Sequence, residues 1–201
     1  MFSPYFVVQA LWLFLPAYVA NMAPVFLAKI FPKWDAPIDG GRARGDGTRL
    51  LGDGKTWRGL IGGAVVAALV ALLQSFRPWD LVTDFGRASW GSILAPLAIG
   101  FMFGLGALVG DAVKSYFKRK SGRPRGAPWI GPDQLDFVVG GLLFAFLTGL
   151  LLGAIDPSFQ WAETWFVHMW WIPPTLIVVT PLLHWLVNVI GYWLGLKEVP
   201  W

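Results

Sequence analysis

Apolar and charged positions segregate sharply along this chain. Five stretches contain no Asp, Glu, Lys or Arg: residues 1–28, 59–76, 88–110, 137–155 and 164–196. A helix needs about 20 largely apolar residues to cross the hydrocarbon core of a bilayer, and each stretch is long enough. The pattern predicts an all-α integral membrane protein with one membrane domain over residues 1–201. Its transmembrane spans are expected at about 5–28, 59–76, 91–110, 137–155 and 173–196, with charged loops over 29–58 and 111–136. The last apolar stretch exceeds one span. Its first part, 164–171, is expected at the interface. Pro173 and Pro174 suit a helix start, and Pro181 suits a kink within the span.

Composition agrees with the pattern. Apolar residues make up 56% of the chain and charged residues 14%, and mean hydropathy is +0.57. A soluble domain carries about a quarter charged residues, so this chain could not cover a water-facing surface. The absence of cysteine excludes disulfides and thiolate metal sites. With only two histidines, a histidine-based zinc site is not expected. The first charge is Lys29, so the start lacks the basic segment of a removable signal peptide.

The net charge of +4 matters through its placement. Lys29, Lys33, Arg42, Arg44, Arg49, Lys55 and Arg58 fall in the first charged loop. Lys114, Lys118, Arg119, Lys120, Arg123 and Arg125 fall in the second, and Lys197 follows the last span. Only Arg77 and Arg87 lie on the opposite side. Basic loops stay in the cytoplasm, so both charged loops and the C-terminus are expected there, with the N-terminus outside. Trp34, Trp57, Trp79, Trp90, Trp161, Trp165 and Trp201 lie near expected span ends, where amphipathic rings favour the interface. Small residues four apart (Gly100 and Gly104, Gly106 and Gly110, Gly149 and Gly153, Gly191 and Gly195) predict close helix packing.

The two charged loops hold the candidate chemistry. The first mixes glycines with acids and bases and ends Leu51-Gly52-Asp53-Gly54-Lys55-Thr56-Trp57-Arg58-Gly59. Glycines admit close backbone approach to a ligand, and Lys and Arg neutralise phosphate. Gly54-Lys55-Thr56 is not a P-loop, because position 49 is Arg and no strand precedes it. Asp39-Gly-Gly-Arg-Ala-Arg44 opens like the motif of CDP-alcohol phosphatidyltransferases, but the later glycine and spaced aspartates are missing. In the second loop Asp111, Lys114, Ser115 and Lys118 recur every three to four residues and share a face if the third span continues as helix. Asp133 and Asp136 share a face at the start of the fourth span. Ionisable groups at span ends that face a bundle interior are functional candidates. Mg²⁺ is commonly held by one or two carboxylates, waters and substrate phosphates, which makes Asp111, Asp133 and Asp136 candidate ligands.

The run Gly110-Asp111-x-x-x-Ser115-x-x-Lys118-Arg119, followed by Asp133-x-x-Asp136, resembles the signature of membrane CTP:phosphatidate cytidylyltransferases. It departs from that signature at Arg123-Pro-Arg125 and at Ile130-Gly131-Pro132. The whole chain is more similar to the shorter CDP-archaeol synthase family. The similarity lies in Asp39-Gly-Gly, the Leu50-to-Gly59 run, Gly-Asp111, Gly131-Pro-Asp133-Gln-Leu-Asp136, and Asn21 near the end of the first span.

The resemblance implies an archaeal, Mg²⁺-dependent enzyme of the cell membrane, working on the cytoplasmic side. It would join CTP to an isoprenoid glycerol ether lipid phosphate and release diphosphate. On this reading Asp111, Asp133 and Asp136 hold the metal, while Lys55, Lys114 and Lys118 act on phosphate charge. Asn21, Asp53, Gly54, Lys55, Thr56, Arg58, Ser115 and Arg119 bind CTP and its phosphates. No nucleic acid is expected as a partner. A small transporter of anionic solutes, or another CDP-lipid enzyme, are the competing readings. Charges spread along the spans would favour the first, and CMP release the second. His168 is expected at the interface and His184 in an interhelical hydrogen bond.

Overall fold

A computed structural model describes residues 4–45, 47–76, 93–123, 127–157, 159 and 161–195. Arg77, Arg87, Arg125, Lys197, Trp79, Trp90 and Trp201, to which the sequence assigns topological roles, lie outside the described residues. The helices are α1 (Pro4–Ile30), α2 (Trp57–Ser75), α3 (Leu94–Lys120), α4 (Pro132–Ile155), a short α5 (Trp161–Glu163) running into a π-helical turn (Thr164–His168), and α6 (Ile172–Trp193). Among the described residues there is no strand, only the isolated bridges Pro37–Thr56 and Ala43–Arg49 within the first loop. Among the described residues five helices are long and apolar enough to cross a membrane.

Away from the charged ends of α3 and α4, these helices are apolar on every face. Less than half of each hydrophobic window is buried within the protein. Leu69, Leu73, Val139, Leu143, Leu147, Val178 and Leu182 all face outward. An outer surface of this kind suits lipid, not water. Inside, Phe14 of α1 packs edge-on against Phe103 of α3 with ring centroids 5.4 Å apart. Phe137 and Val138 of α4, and Ile172 and Leu176 of α6, complete that core.

Small residues decide how close the helices come. Gly100 and Gly104 of α3 lie against Ala64, Ala67, Ala68 and Ala71 of α2. Gly106 and Gly110 of α3 lie against Gly140 and the Asp136 backbone of α4. A Cβ at any of these glycines would overlap its neighbour, so the seams exist only without side chains. α3 therefore becomes the central helix, with α2 and α4 as its main neighbours.

The second charged segment is not all loop. α3 continues ten residues past the apolar stretch to Lys120, and α4 starts at Pro132. Residues 111–120 contain no Gly or Pro to stop the helix. Pro132 occupies a first-turn position, where its missing N–H costs nothing. Gly131, at φ 91°, makes the entry, and its N–H donates to Gln134 Oε1 at 2.6 Å. The helical ends of α3 and α4 thus carry their charged side chains side by side.

Candidate active site

The glycine seam brings four functional positions of α3 and α4 together. Lys114 Nζ lies 3.2 Å from Asp111 Oδ1, 3.0 Å from Asp133 Oδ1 and 3.0 Å from Asp136 Oδ2. Lys55 Nζ pairs with the other oxygen of Asp111. Lys118 Nζ lies 2.8 Å and 3.0 Å from the two oxygens of Asp133. The result is a ladder of alternating charge, Lys55–Asp111–Lys114–Asp133/Asp136–Lys118. It is mostly sheltered, from 6% side-chain exposure at Asp136 to 23% at Lys55. Ion pairs in such a setting hold their geometry, and removing one partner strands a charge.

The first loop folds over this ladder through one carboxylate. Asp39 Oδ1 accepts from Arg49 Nη2 at 2.6 Å and from the Gly41 N–H at 3.0 Å. Asp39 Oδ2 accepts from the Leu51 N–H at 3.1 Å. Burial works against the charged carboxylate, but the bonds from Arg49, Leu51 and Gly41 outweigh it and hold Asp39 below the usual carboxylate range. Ile38 N–H donates to the Lys55 carbonyl at 3.0 Å, and Trp57 N–H to the Ala36 carbonyl at 2.9 Å. These bonds tie both ends of the loop together and fix Lys55. Thr56 then caps α2, its Oγ1 accepting from the Gly59 N–H at 3.2 Å.

Two cavities meet at Lys55. One, of about 480 Å³, lies between the first loop and α3 and is lined by Thr48, Arg49, Asp53, Gly54, Ser115 and Arg119, among others. The second, of about 200 Å³, has mixed walls, with Asn21, Thr56 and Asp111 beside Pro24, Val25 and Leu108, among others. Lys55 lines both. Beyond the ladder an apolar groove of about 450 Å³ runs along α3 and α4, with Lys114 and Asp136 in its wall.

Most residues singled out in the sequence converge here. Asn21, Asp53, Gly54, Lys55, Thr56, Asp111, Ser115 and Arg119 line the two cavities. Lys114, Lys118, Asp133 and Asp136 form the ladder. Arg58 stands apart. It is buried, and its Nη1 donates to the Phe31 carbonyl at 2.6 Å, so it caps the C-terminal end of α1. Thr48, Arg49 and Asp39 were not among the expected site residues. Only the run Asp39-Gly-Gly pointed towards them.

Three carboxylates as a donor set suit a hard divalent cation. Among the described residues no cluster of three acidic or histidine side chains stands at metal-holding spacing. The three aspartates instead surround the Lys114 ammonium, at ammonium distances.

A family model described as CarS-like CDP-archaeol synthase matches residues 5–201. The chain belongs to the CDP-archaeol synthase family. A CDP-archaeol synthase of Thermococcus kodakarensis is 41% identical over 193 residues, which is 96% of this chain and 95% of that one. One of Methanocorpusculum labreanum is 41% identical over 190 residues, 93% of this chain and 99% of that one. A solved structure described as an intramembrane enzyme for archaeal membrane lipids biosynthesis matches with a TM-score of 0.61. It is 28% identical and the match covers 91% of this chain and 94% of that chain. Family membership therefore covers both the membrane helices and the charged ladder.

Proposed function

We propose that this chain transfers the cytidylyl group of CTP to the phosphate of an isoprenoid glycerol ether lipid. The observation that carries this reading is the position of the ladder. It stands between a polar cavity large enough for part of a nucleotide and an apolar groove along two membrane-length helices. A water-soluble triphosphate and a membrane-bound phosphate can meet there.

A lipid phosphate oxygen attacks the α-phosphorus of CTP. The bond from the α-phosphorus to the bridging oxygen breaks, and diphosphate leaves with that oxygen. No general base is needed, because the attacking phosphate is already anionic. Catalysis of this kind is mainly positioning and charge stabilisation. Arg49, Arg119 and Ser115 line the wider cavity and suit the triphosphate. Lys55 reaches both cavities and suits the phosphate that stays with the nucleoside. Lys114, in the groove wall, suits the lipid phosphate, whose chains lie along Val109, Val139 and Leu143. On this reading the lipid enters between α3 and α4, along that groove. Asp111, Asp133 and Asp136 are the residues that would hold Mg²⁺, which when bound would supply positive charge against the phosphates.

We place this end of the bundle in the cytoplasm, with the N-terminus outside, from the basic residues of its loops. The test is diphosphate release by purified protein given CTP, Mg²⁺ and a panel of lipid phosphates. Release that needs all three supports the reading. Release of CMP, or none from folded protein, overturns it.

A further inference from the structure

One ammonium occupies the point on which three carboxylates of two helices converge. Counted formally, the ladder is neutral, with Lys55, Lys114 and Lys118 against Asp111, Asp133 and Asp136. We propose that the Lys114 ammonium holds the cation position of this cluster and excludes a divalent cation until a nucleotide triphosphate binds beside it.

The argument is electrostatic and steric. A small divalent ion needs carboxylate oxygens at about 2.0–2.1 Å, so it cannot share their point of convergence with an ammonium about 3 Å away from each. Adding such an ion to a neutral, mostly sheltered cluster leaves two positive charges uncompensated. Those charges are costly where water is scarce. A triphosphate in the adjoining cavity supplies the missing negative charge, so the cluster can take the divalent ion and release Lys114 towards the α3–α4 groove. Lysine suits the exchange, because it is a point charge on a flexible stem with no fixed fork geometry to give up. Lys114 also lines the open α3–α4 groove, so its stem has space to move. Without Lys114 the cluster carries one net negative charge and its convergence point is free. Metal and nucleotide therefore enter together in the natural protein. The proposal takes from the preceding reading only the identity of the triphosphate.

The test is titration of Mn²⁺ into purified, detergent-solubilised protein, followed by the loss of the free Mn²⁺ electron-spin resonance signal. Without nucleotide, the natural protein and Lys114→Arg bind Mn²⁺ weakly. Lys114→Met binds it about tenfold or more tightly, since an adjacent like charge has gone. That gain disappears in Lys114→Met/Asp136→Asn. CTP, with no lipid, lowers free Mn²⁺ further in the presence of the natural protein than the same CTP does without protein, and an equal fall in both overturns the exchange. Equal Mn²⁺ binding by the natural protein and Lys114→Met without nucleotide overturns the proposal. So does a gain that survives Asp136→Asn. If Lys114→Met does not fold, Lys114→Gln asks the same question with a neutral side chain that still hydrogen-bonds the aspartates. The readout needs no turnover, so a chain with a different reaction but the same cation exchange would still show it.

Discussion

Replacing Gly110 by Ala tests whether the glycine seam builds the active site. A Cβ at Gly110 would sit 3.1 Å from the Asp136 carbonyl carbon and 3.2 Å from Gly140 Cα, with the Asp136 carbonyl oxygen closer still. Carbon and carbonyl oxygen pack at about 3.3–3.6 Å, so α3 and α4 must part by roughly 1 Å. Both obstacles are backbone, and neither can rotate away. The same displacement separates Lys114 from Asp133 and Asp136. Overpacking of this kind costs about 1–3 kcal/mol of stability. A misplacement of about 1 Å in a reacting constellation can cost about 100-fold in rate. Gly110→Ala is therefore expected to lower kcat by about 100-fold and to lower the unfolding temperature modestly. Gly45→Ala is the control, because a Cβ there meets nothing within 4 Å and its φ is not in the left-handed region. The assays are diphosphate release and thermal unfolding in the same detergent. A Gly110→Ala protein with natural turnover and an unchanged unfolding temperature refutes the reasoning.

Asp133→Asn is expected to abolish diphosphate release while the protein stays folded in detergent, and full activity would remove Asp133 from the site. Arg58→Met is expected to lower stability by about 1.5–3 kcal/mol, the scale of a charged hydrogen bond, while KM for CTP stays unchanged. A raised KM with natural stability would return Arg58 to phosphate binding. The Asp39 carboxyl is held low in the folded loop, so its contribution is present above the ordinary carboxylate pKa of about 3.9 and is lost as pH falls through the folded value. Hydrogen exchange at the Gly41 and Leu51 amides should stay slow from neutral pH down to about pH 4, relative to the intrinsic rate, and lose protection below it. Loss of protection on raising the pH would contradict this. Because the chain has no cysteine, Thr48→Cys provides a single label site. An impermeant maleimide should modify it in inverted vesicles and not in intact cells.

The spans were legible because apolar runs between charges report membrane thickness directly. The two charged segments were legible as candidates because acids and bases at span ends have no cheap bland role. Three things were not. The apolar run in α3 stops at Gly110, yet the helix continues, since hydropathy marks the membrane edge and not the last helical hydrogen bond. Arg58 reads like its neighbour Lys55, and only the fold shows that one caps α1 while the other faces the cavities. Lys114 looked like one more phosphate cation. Its place among three carboxylates depends on the approach of α3 to α4, which the Gly106–Gly110 spacing suggested but could not orient. Asp39 and Arg49, ten residues apart in a glycine-rich loop, pair through a fold that local propensity does not encode.

The central claim is transfer of one particular phosphorus to a lipid. The most direct measurement follows CTP labelled separately on its α- and γ-phosphates, with Mg²⁺ and an isoprenoid glycerol phosphate. The account predicts that the α label moves into the organic phase with the lipid while the γ label stays in water as diphosphate. An α label that remains in water as CMP, or a γ label that moves onto the lipid, would contradict it.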